Sequence, residues 1–171
     1  MKIAIKYIIT LFVLMLFLPL IANADTKKLR LQTYLTKLDV IPIGFVKAPA
    51  FAIMERRGVA VYEDGEVATY LMRGTGRFTP KGGTAEGFSQ YTYNDGSTSV
   101  VKWQAQLVKK EGDKLMAVSG KGSYVSGTGR LKGIQGDMTF TGKYVTPYSK
   151  EKGMLGDMIV DVISNYTLPP K

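Results

Sequence analysis

The chain has 171 residues and contains neither cysteine nor histidine. Without histidine it cannot build a Ser-His-Asp or Cys-His nucleophile, an imidazole general base or a histidine-ligated metal site. Without cysteine it cannot form a disulfide, a zinc–thiolate site, an iron–sulfur cluster or a redox thiol. We therefore expect no metal and no cofactor, and the sequence identifies no catalytic residue.

Acidic residues are scarce relative to basic ones, with 14 Asp and Glu against 23 Lys and Arg and a net charge of +9. The simplest interpretation is a solvated surface with excess lysine. A second interpretation is a weak contact with an anionic envelope surface, either lipid head groups or polymers. We expect no nucleic-acid partner, because the N-terminal sequence predicts export. The oligomeric state is left open.

Residues 1–24 have the pattern of a secretory signal peptide. Lys2 and Lys6 supply the positive region, residues 7–21 form an apolar run, and Ala22-Asn23-Ala24 provides small residues at a cleavage site. An uncleaved membrane anchor is the alternative, but Pro19 and the small residues favour cleavage. The predicted location is therefore periplasmic or secreted. Because the exported chain has no disulfide, a packed core must hold it together.

The remaining sequence favours β-structure throughout. Residues 25–50 read as one short strand and an irregular lead-in, because Pro42 and Pro49 interrupt the pattern. From residue 51 to residue 171 we predict one domain of strands joined by short turns rich in Gly, Asn and Asp. The predicted strands are Ala52–Tyr62, Glu66–Phe78, Thr84–Tyr93, Thr98–Val108, Leu115–Val125, Asp137–Val145 and Met158–Leu168.

Apolar and polar residues alternate with period two in several of these strands. In the fourth, Val101, Trp103, Ala105 and Leu107 share one face, while the opposite face carries Lys102, Gln104 and Gln106. Consecutive strands with short turns make an antiparallel meander, and closure of the sheet removes its unpaired edges. The predicted fold is all-β: a single small up-and-down antiparallel barrel of about seven to eight strands, after the signal peptide.

A glycine-spaced sequence occurs twice, as Gly74-Thr75-Gly76-Arg77-Phe78 and as Gly127-Thr128-Gly129-Arg130-Leu131. A phosphate-binding loop would place such a motif between a strand and a helix, and no helix is predicted after either copy. We therefore interpret the glycines as corners or bulges of a small barrel, with the arginines capping carbonyls or lying on aromatic rings.

From about Phe51 to Leu168 the chain resembles the allene oxide cyclase and dirigent-type barrels, which are small calycin-like antiparallel barrels. The resemblance rests on Arg56-Arg57-Gly58, on residues 91–98, and on residues 127–136 followed by Thr139-Phe140-Thr141-Gly142. It implies an eight-stranded barrel whose apolar interior holds a reactive intermediate and steers its cyclisation or coupling, without metal or organic cofactor. The catalytic residues of those families do not match this chain one by one, so none is transferred.

Four residues are candidates for lining a ligand cavity. Glu55 is in phase with Ile53 and Val59, so it is expected to point inward, where burial would raise the pKa of its carboxyl group. A salt bridge with Arg56, Arg57 or a lysine of a neighbouring strand is the structural alternative, and it is the interpretation that we favour. The other three candidates are aromatic and offer apolar faces with a polar tip, although core packing alone would also explain them: Tyr70, Tyr91 and Trp103.

The sequence leaves three functions open. The first is binding of a small apolar or amphipathic molecule inside an exported soluble barrel. The second is a cofactor-independent cyclase or isomerase that steers a reactive intermediate. The third is a structural or interaction role in the cell envelope for a barrel with a filled interior. An outer-membrane barrel is the least favoured alternative, because the turns are tight at both ends and no aromatic residue ends the chain.

Overall fold

The computed structural model describes residues 24–42, 50–79, 81–109, 111–149 and 151–170. The signal peptide predicted at residues 1–24 lies outside these ranges except for Ala24, as does Pro49 of the predicted lead-in. Within the described ranges, no helix is long and apolar enough to cross a membrane.

The fold is a closed eight-stranded antiparallel barrel, which confirms the predicted fold class. Each barrel strand pairs with its neighbour along the chain, and the first strand closes the barrel against the last. A two-stranded hairpin, β8–β9, is inserted between the last two barrel strands. The strands are β1 (Asp25–Pro42), β2 (Ala50–Tyr62), β3 (Val67–Thr79), β4 (Gly82–Tyr93), β5 (Thr98–Val108), β6 (Ala117–Gly127), β7 (Gln135–Tyr144), β8 (Tyr148–Ser149), β9 (Met154–Leu155) and β10 (Met158–Thr167).

The prediction of a short strand and an irregular lead-in at residues 25–50 is wrong for residues 25–42, and residues 43–49 lie outside the described ranges. β1 is 18 residues long and ends at Pro42. It is one of the eight strands of the barrel and closes it by pairing with both β2 and β10. Leu29, Leu31, Thr33 and Leu35 all face inward and are buried. The polar Thr33 on the inner face and the aromatic Tyr34 on the outer face obscure this alternation in the sequence, although the pleat places the four inward side chains on one face.

Alternation along each strand fills the interior with apolar side chains. On β5, Val101, Trp103, Ala105 and Leu107 are buried, whereas Lys102, Gln104 and Gln106 are exposed. An apolar interior with polar residues outside on this strand is the reverse of the arrangement that a membrane-spanning barrel needs. The core therefore lies inside the barrel, as the alternation predicts.

The two glycine-spaced sequences have different structures. Gly74 and Gly76 lie within β3, where a Cβ atom would come within 2.9 Å of the Trp103 ring and 2.4 Å of the Phe78 ring, respectively. Gly129 instead begins a 3-10 helix at Gly129–Leu131 and has a positive φ of 57°. The first copy makes room for aromatic rings and the second turns the chain, so both are structural.

The barrel has two chemically different ends. One end carries the β1–β2, β3–β4 and β5–β6 connections and the β8–β9 hairpin. We call it the Arg56 end, because Arg56 donates a hydrogen bond to Gly156 directly after β9. The opposite end is called the tyrosine end, and it holds Tyr62, Tyr93, Tyr124 and Tyr166. The end regions enclose the candidate site between them.

Candidate functional site: the barrel interior

The barrel interior contains a cavity of about 80 Å³. For comparison, an engineered apolar cavity of ~150 Å³ holds a benzene molecule. The side chains of the barrel thus fill most of the interior, and the remaining space is small. The wall carries four methionines, several aromatic rings and a few polar groups; these include Met54, Met72, Met138, Met158, Tyr70, Phe78, Tyr91, Trp103, Phe140, Tyr144, Thr33, Arg56 and Ser89.

Among the described residues, Arg56 is the only charged one on this wall. Its side chain points inward from the middle of β2, and the residue is 3 % exposed. Nε donates to Thr33 Oγ1 at 3.0 Å, and Nη2 donates to the carbonyl oxygens of Thr33 at 3.3 Å and Gly156 at 2.5 Å. The remaining nitrogen, Nη1, is buried and has no hydrogen-bond partner.

No carboxylate forms an ion pair with Arg56. All 14 Asp and Glu side chains belong to the residues that the structure describes, and none lies within 4 Å of this guanidinium. Asp157 acts on it from a greater distance, and its Oδ2 accepts a hydrogen bond from Thr146 Oγ1 at 2.6 Å. A fully buried cation without a carboxylate partner is rare in proteins, because its desolvation is not offset.

The surroundings of Arg56 work in opposite directions on its charge. Burial lowers the pKa of the guanidinium, whereas Tyr144, Tyr70 and Asp157 raise it. The guanidinium carbon lies 5.4 Å from the centre of the Tyr144 ring, a distance at which the ring face attracts a cation. Arginine stays protonated in proteins, so the interior carries a positive charge that neutral groups solvate only partly.

A β-bulge beside Arg56 controls the direction of the neighbouring side chains. The register between β1 and β2 shifts between Leu35 and Lys37, so that Thr36 is the extra residue. Thr36 Oγ1 donates to the Glu55 carboxylate at 2.9 Å. Bulges are frequent next to functional sites, where they redirect side chains.

Two further polar groups of the wall are neutral. Trp103 Nε1 is buried and has no hydrogen-bond partner. Tyr70 Oη is 2.9 Å from Ser89 Oγ, and burial raises the pKa of Tyr70. Nη1 of Arg56 and Nε1 of Trp103 are both donors that cannot accept, so the unpaired groups of this wall call for acceptor atoms in the cavity.

The tyrosine end is different because three of its four tyrosine hydroxyls are paired. Tyr62 Oη lies 2.6 Å from Tyr93 Oη, and Tyr124 Oη lies 2.7 Å from Ser164 Oγ. Burial raises the pKa of Tyr124 to about 12 and that of Tyr62 still further. A recess of about 210 Å³ lies between these rings and the connection after β6.

Charged groups cover this recess. Arg130 forms ion pairs with Glu66 and, at 3.2 Å, with Asp95, and its guanidinium lies 4.8 Å from the centre of the Tyr93 ring. Lys27 lies 2.7 Å from Asp64 and stands over the Tyr62 ring. The expectation that Arg130 lies on an aromatic ring is thereby confirmed, and this end has the character of a structural cap.

The expectation that Glu55 points inward is wrong. Its side chain lies on the outer face of β2, where it pairs with Arg73 at 2.9 Å and with Arg57 at 3.3 Å. These contacts, with Arg73 first, lower the pKa of Glu55 to about 2. Ile53 and Val59, the residues used to set the phase, are themselves exposed, so the error came from taking apolar outer-face residues as the core face.

The salt-bridge interpretation of Glu55 is confirmed with one of the partners it named, Arg57. Arg57 pairs with Glu55, Arg73 takes the place expected for a lysine, and Arg56 faces the other side of the strand.

The three aromatic candidates do lie on the cavity wall. Trp103 and Tyr91 are buried and Tyr70 is partly buried, and all three border the same cavity. Their role in binding a ligand stays a prediction. Sequence reasoning missed Arg56, although a usable signal exists: Arg56 is in phase with Ala52, Met54 and Ala60, which are buried.

Within the described ranges, no group of three or more Asp and Glu side chains is placed to hold a metal ion. No known protein family, curated protein or solved structure matches this chain. The similarity to the allene oxide cyclase and dirigent-type barrels therefore stays a prediction.

Proposed function

We propose that this protein binds a small apolar or amphipathic molecule inside its barrel. The observation that supports the proposal is the interior cavity, whose wall is apolar yet leaves two buried nitrogen donors unpaired. An interior that served only as a core would gain stability by filling this space and by pairing these groups. A bound molecule would do both.

The methionines of the wall bear on the size of that molecule. Met54, Met72, Met138 and Met158 line the cavity, and methionine side chains rearrange more readily than branched ones. A cavity of about 80 Å³ can therefore widen around a guest without a change in the strands. This supports a ligand of few atoms, or a narrow chain that displaces methionine side chains.

Ligand binding can be measured directly in the purified protein. Native mass spectrometry of protein taken from its host should show a co-purified small molecule, and a thermal-shift screen of amphipathic compounds should raise the melting temperature. The chain has a single tryptophan, Trp103, on the cavity wall, so its fluorescence should change as a ligand enters.

A variant that fills the cavity provides the control. Ala105 is buried on the cavity wall, and Ala105→Leu should reduce binding while the barrel stays folded. Gln104→Leu introduces the same side chain on the exposed face of the same strand and should bind as the wild type does. Equal binding by both variants would contradict an interior site.

The cyclase or isomerase alternative has lost its proposed base. Glu55 lies on the outer face with two arginine partners, so it cannot reach a molecule in the cavity. No other side chain is assigned that role, and we propose binding rather than catalysis. We also propose, from the sequence pattern of residues 1–24, that binding takes place outside the cytoplasm; the intact mass of the host-purified protein would test the cleavage.

A further inference from the structure

We propose that the interior ligand is a monocarboxylate with a short apolar tail, and that Arg56 anchors its carboxylate through Nη1. This inference rests on the proposed function and adds the chemical class of the ligand. The interior holds one positive charge, carried by Arg56, and no carboxylate of the chain neutralises it. The ligand supplies the missing negative charge.

The hydrogen bonds of Arg56 show which part of the guanidinium is free. Nε and Nη2 are used by Thr33 and Gly156, which fix the plane of the group against β1 and the segment after β9. Nη1 makes no hydrogen bond of ordinary length, and the Tyr144 side chain is close enough to raise the pKa of the guanidinium. One free nitrogen and one unit of charge suit a carboxylate better than a doubly charged phosphate.

The neighbours of Arg56 set the position of the tail. Met72 lies opposite Arg56 in the register of β2 and β3, and Met54 precedes it by two residues on the same face. Trp103 and Leu107 continue the apolar wall on β5. A carboxylate on Arg56 thus places its tail against methionine and tryptophan side chains, where apolar contact is favourable.

Access to Nη1 requires a side chain to move. Less than 1 Å² of this atom is accessible in the structure, so a ligand oxygen reaches it only after a neighbour turns aside. The neighbouring Met54 and Met72 can do this by changing rotamer. The hydrogen bond to Gly156 O also connects the site to the segment from Val145 to Asp157, whose ends are joined because Val145 N donates to Asp157 O at 2.7 Å.

The test compares compounds that differ only in the head group. Hexanoate and octanoate, the corresponding primary alcohols and the corresponding amines are titrated into the purified protein, with Trp103 fluorescence and calorimetry as readouts. We expect each acid to bind about tenfold or more tightly than its alcohol, because a charge-assisted hydrogen bond forms in an interior of low dielectric constant. The amine should bind most weakly.

Substitution of the anchor sharpens the comparison. Arg56→Met should bring the acid down to the affinity of the alcohol or below it, while the alcohol itself binds as before. Arg77→Met makes the same change of charge at an exposed position of β3 and should keep the preference for the acid. Circular dichroism establishes that both variants are folded, and the comparison of head groups in the wild type needs no variant.

The outcomes separate this inference from the proposed function. Equal binding of acid and alcohol in the wild type, abolished by Ala105→Leu, would overturn the carboxylate anchor and leave interior binding intact. A preference for the acid that persists in Arg56→Met would also overturn it. No change of Trp103 fluorescence with any compound, and no heat of binding, would overturn both.

Discussion

Two arginines lie against tyrosine rings, Arg130 at the tyrosine end and Arg56 inside the barrel, and their surroundings differ in one respect. Arg130 at the tyrosine end is partly exposed and has two carboxylate partners, Glu66 and Asp95. Arg56 is 3 % exposed and has none. A buried cation needs a carboxylate partner more than an exposed one does, yet the buried arginine is the one without a carboxylate.

The same contrast holds for the neutral groups. At the tyrosine end, the hydroxyls of Tyr62 and Tyr93 bond to each other, and Tyr124 bonds to Ser164. Among the described residues, three buried side-chain atoms have no partner: Arg56 Nη1 and Trp103 Nε1 border the cavity, and Ser99 Oγ on β5 does not. Proteins leave few buried donors unpaired, and those that remain concentrate where a function needs them. The difference indicates that one end is built for stability and the interior site for binding.

The largest effect on stability is expected from breaking the tyrosine pair. Tyr93→Phe removes one hydroxyl and leaves that of Tyr62 buried without a partner, which should lower the free energy of unfolding by about 1–3 kcal/mol. Urea denaturation measures this loss. The double variant Tyr62→Phe/Tyr93→Phe removes both hydroxyls, so it should be more stable than the sum of the single losses implies. Additive losses would mean that the pair contributes no coupling.

A smaller effect on stability is expected from substitution of Arg56. Arg56→Met removes hydrogen bonds to Thr33 and Gly156, but it also removes an uncompensated buried charge. These contributions oppose each other, so the free energy of unfolding should change by about 1 kcal/mol or less in either direction. The measurement is again urea denaturation, without added ligand. A loss as large as that of a broken buried ion pair, about 3 kcal/mol or more, would make Arg56 a structural residue and remove the contrast.

The smallest effect is expected from Glu55→Gln, because solvent screens ion pairs on the outer face of the barrel. The contacts with Arg73, Thr36 and Arg57 lower the pKa of Glu55 from its ordinary 4.5 to about 2. A carboxyl group with a lowered pKa in the folded state stabilises the fold above its ordinary pKa, and this stabilisation is lost as the pH falls through the folded value. The melting temperature of the wild type should therefore fall between these two pH values more steeply than that of Glu55→Gln.

A second substitution identifies the cause of that pH dependence. Arg73→Gln removes the largest contributor to the lowered pKa of Glu55 but leaves Arg57 and Thr36 in place. The steepness of the acid transition should then lie between those of the wild type and Glu55→Gln. Ligand binding should be the same in all three proteins, because these side chains lie outside the barrel. A change of interior binding in Glu55→Gln would mean that the outer ion pairs influence the cavity.

Much of the fold could be predicted because strand alternation and turn residues are local signals. The strand Thr98–Val108 was predicted with the limits that the structure has, because Asn94-Asp95-Gly96 marks its start and its inward face is continuous. β1 was misjudged because its inward face includes Thr33, and the β8–β9 hairpin was missed because two-residue strands leave no period to detect. Local patterns identify long apolar faces better than short or partly polar ones.

The site was predictable in part. Tyr70, Tyr91 and Trp103 were found because aromatic residues on an inward face border whatever space the barrel leaves. The phase of β2 was misread because both of its faces carry apolar residues: Ile53 and Val59 lie outside, Met54 and Ala60 inside. That choice decided whether Glu55 or Arg56 faced the interior. When a strand is apolar on both faces, its sequence does not show which face points into the core.

The sequence by itself determined the all-β class, the meander and the exclusion of histidine and cysteine chemistry, because these depend on composition and on neighbours along the chain. Only the tertiary structure decided that Arg56 lies inside without a carboxylate and that Glu55 lies outside with two arginines. The physical reason is that closing a barrel brings β1, β2 and the segment after β9 together around one side chain. Closure of the barrel therefore decides which partners a buried charge has.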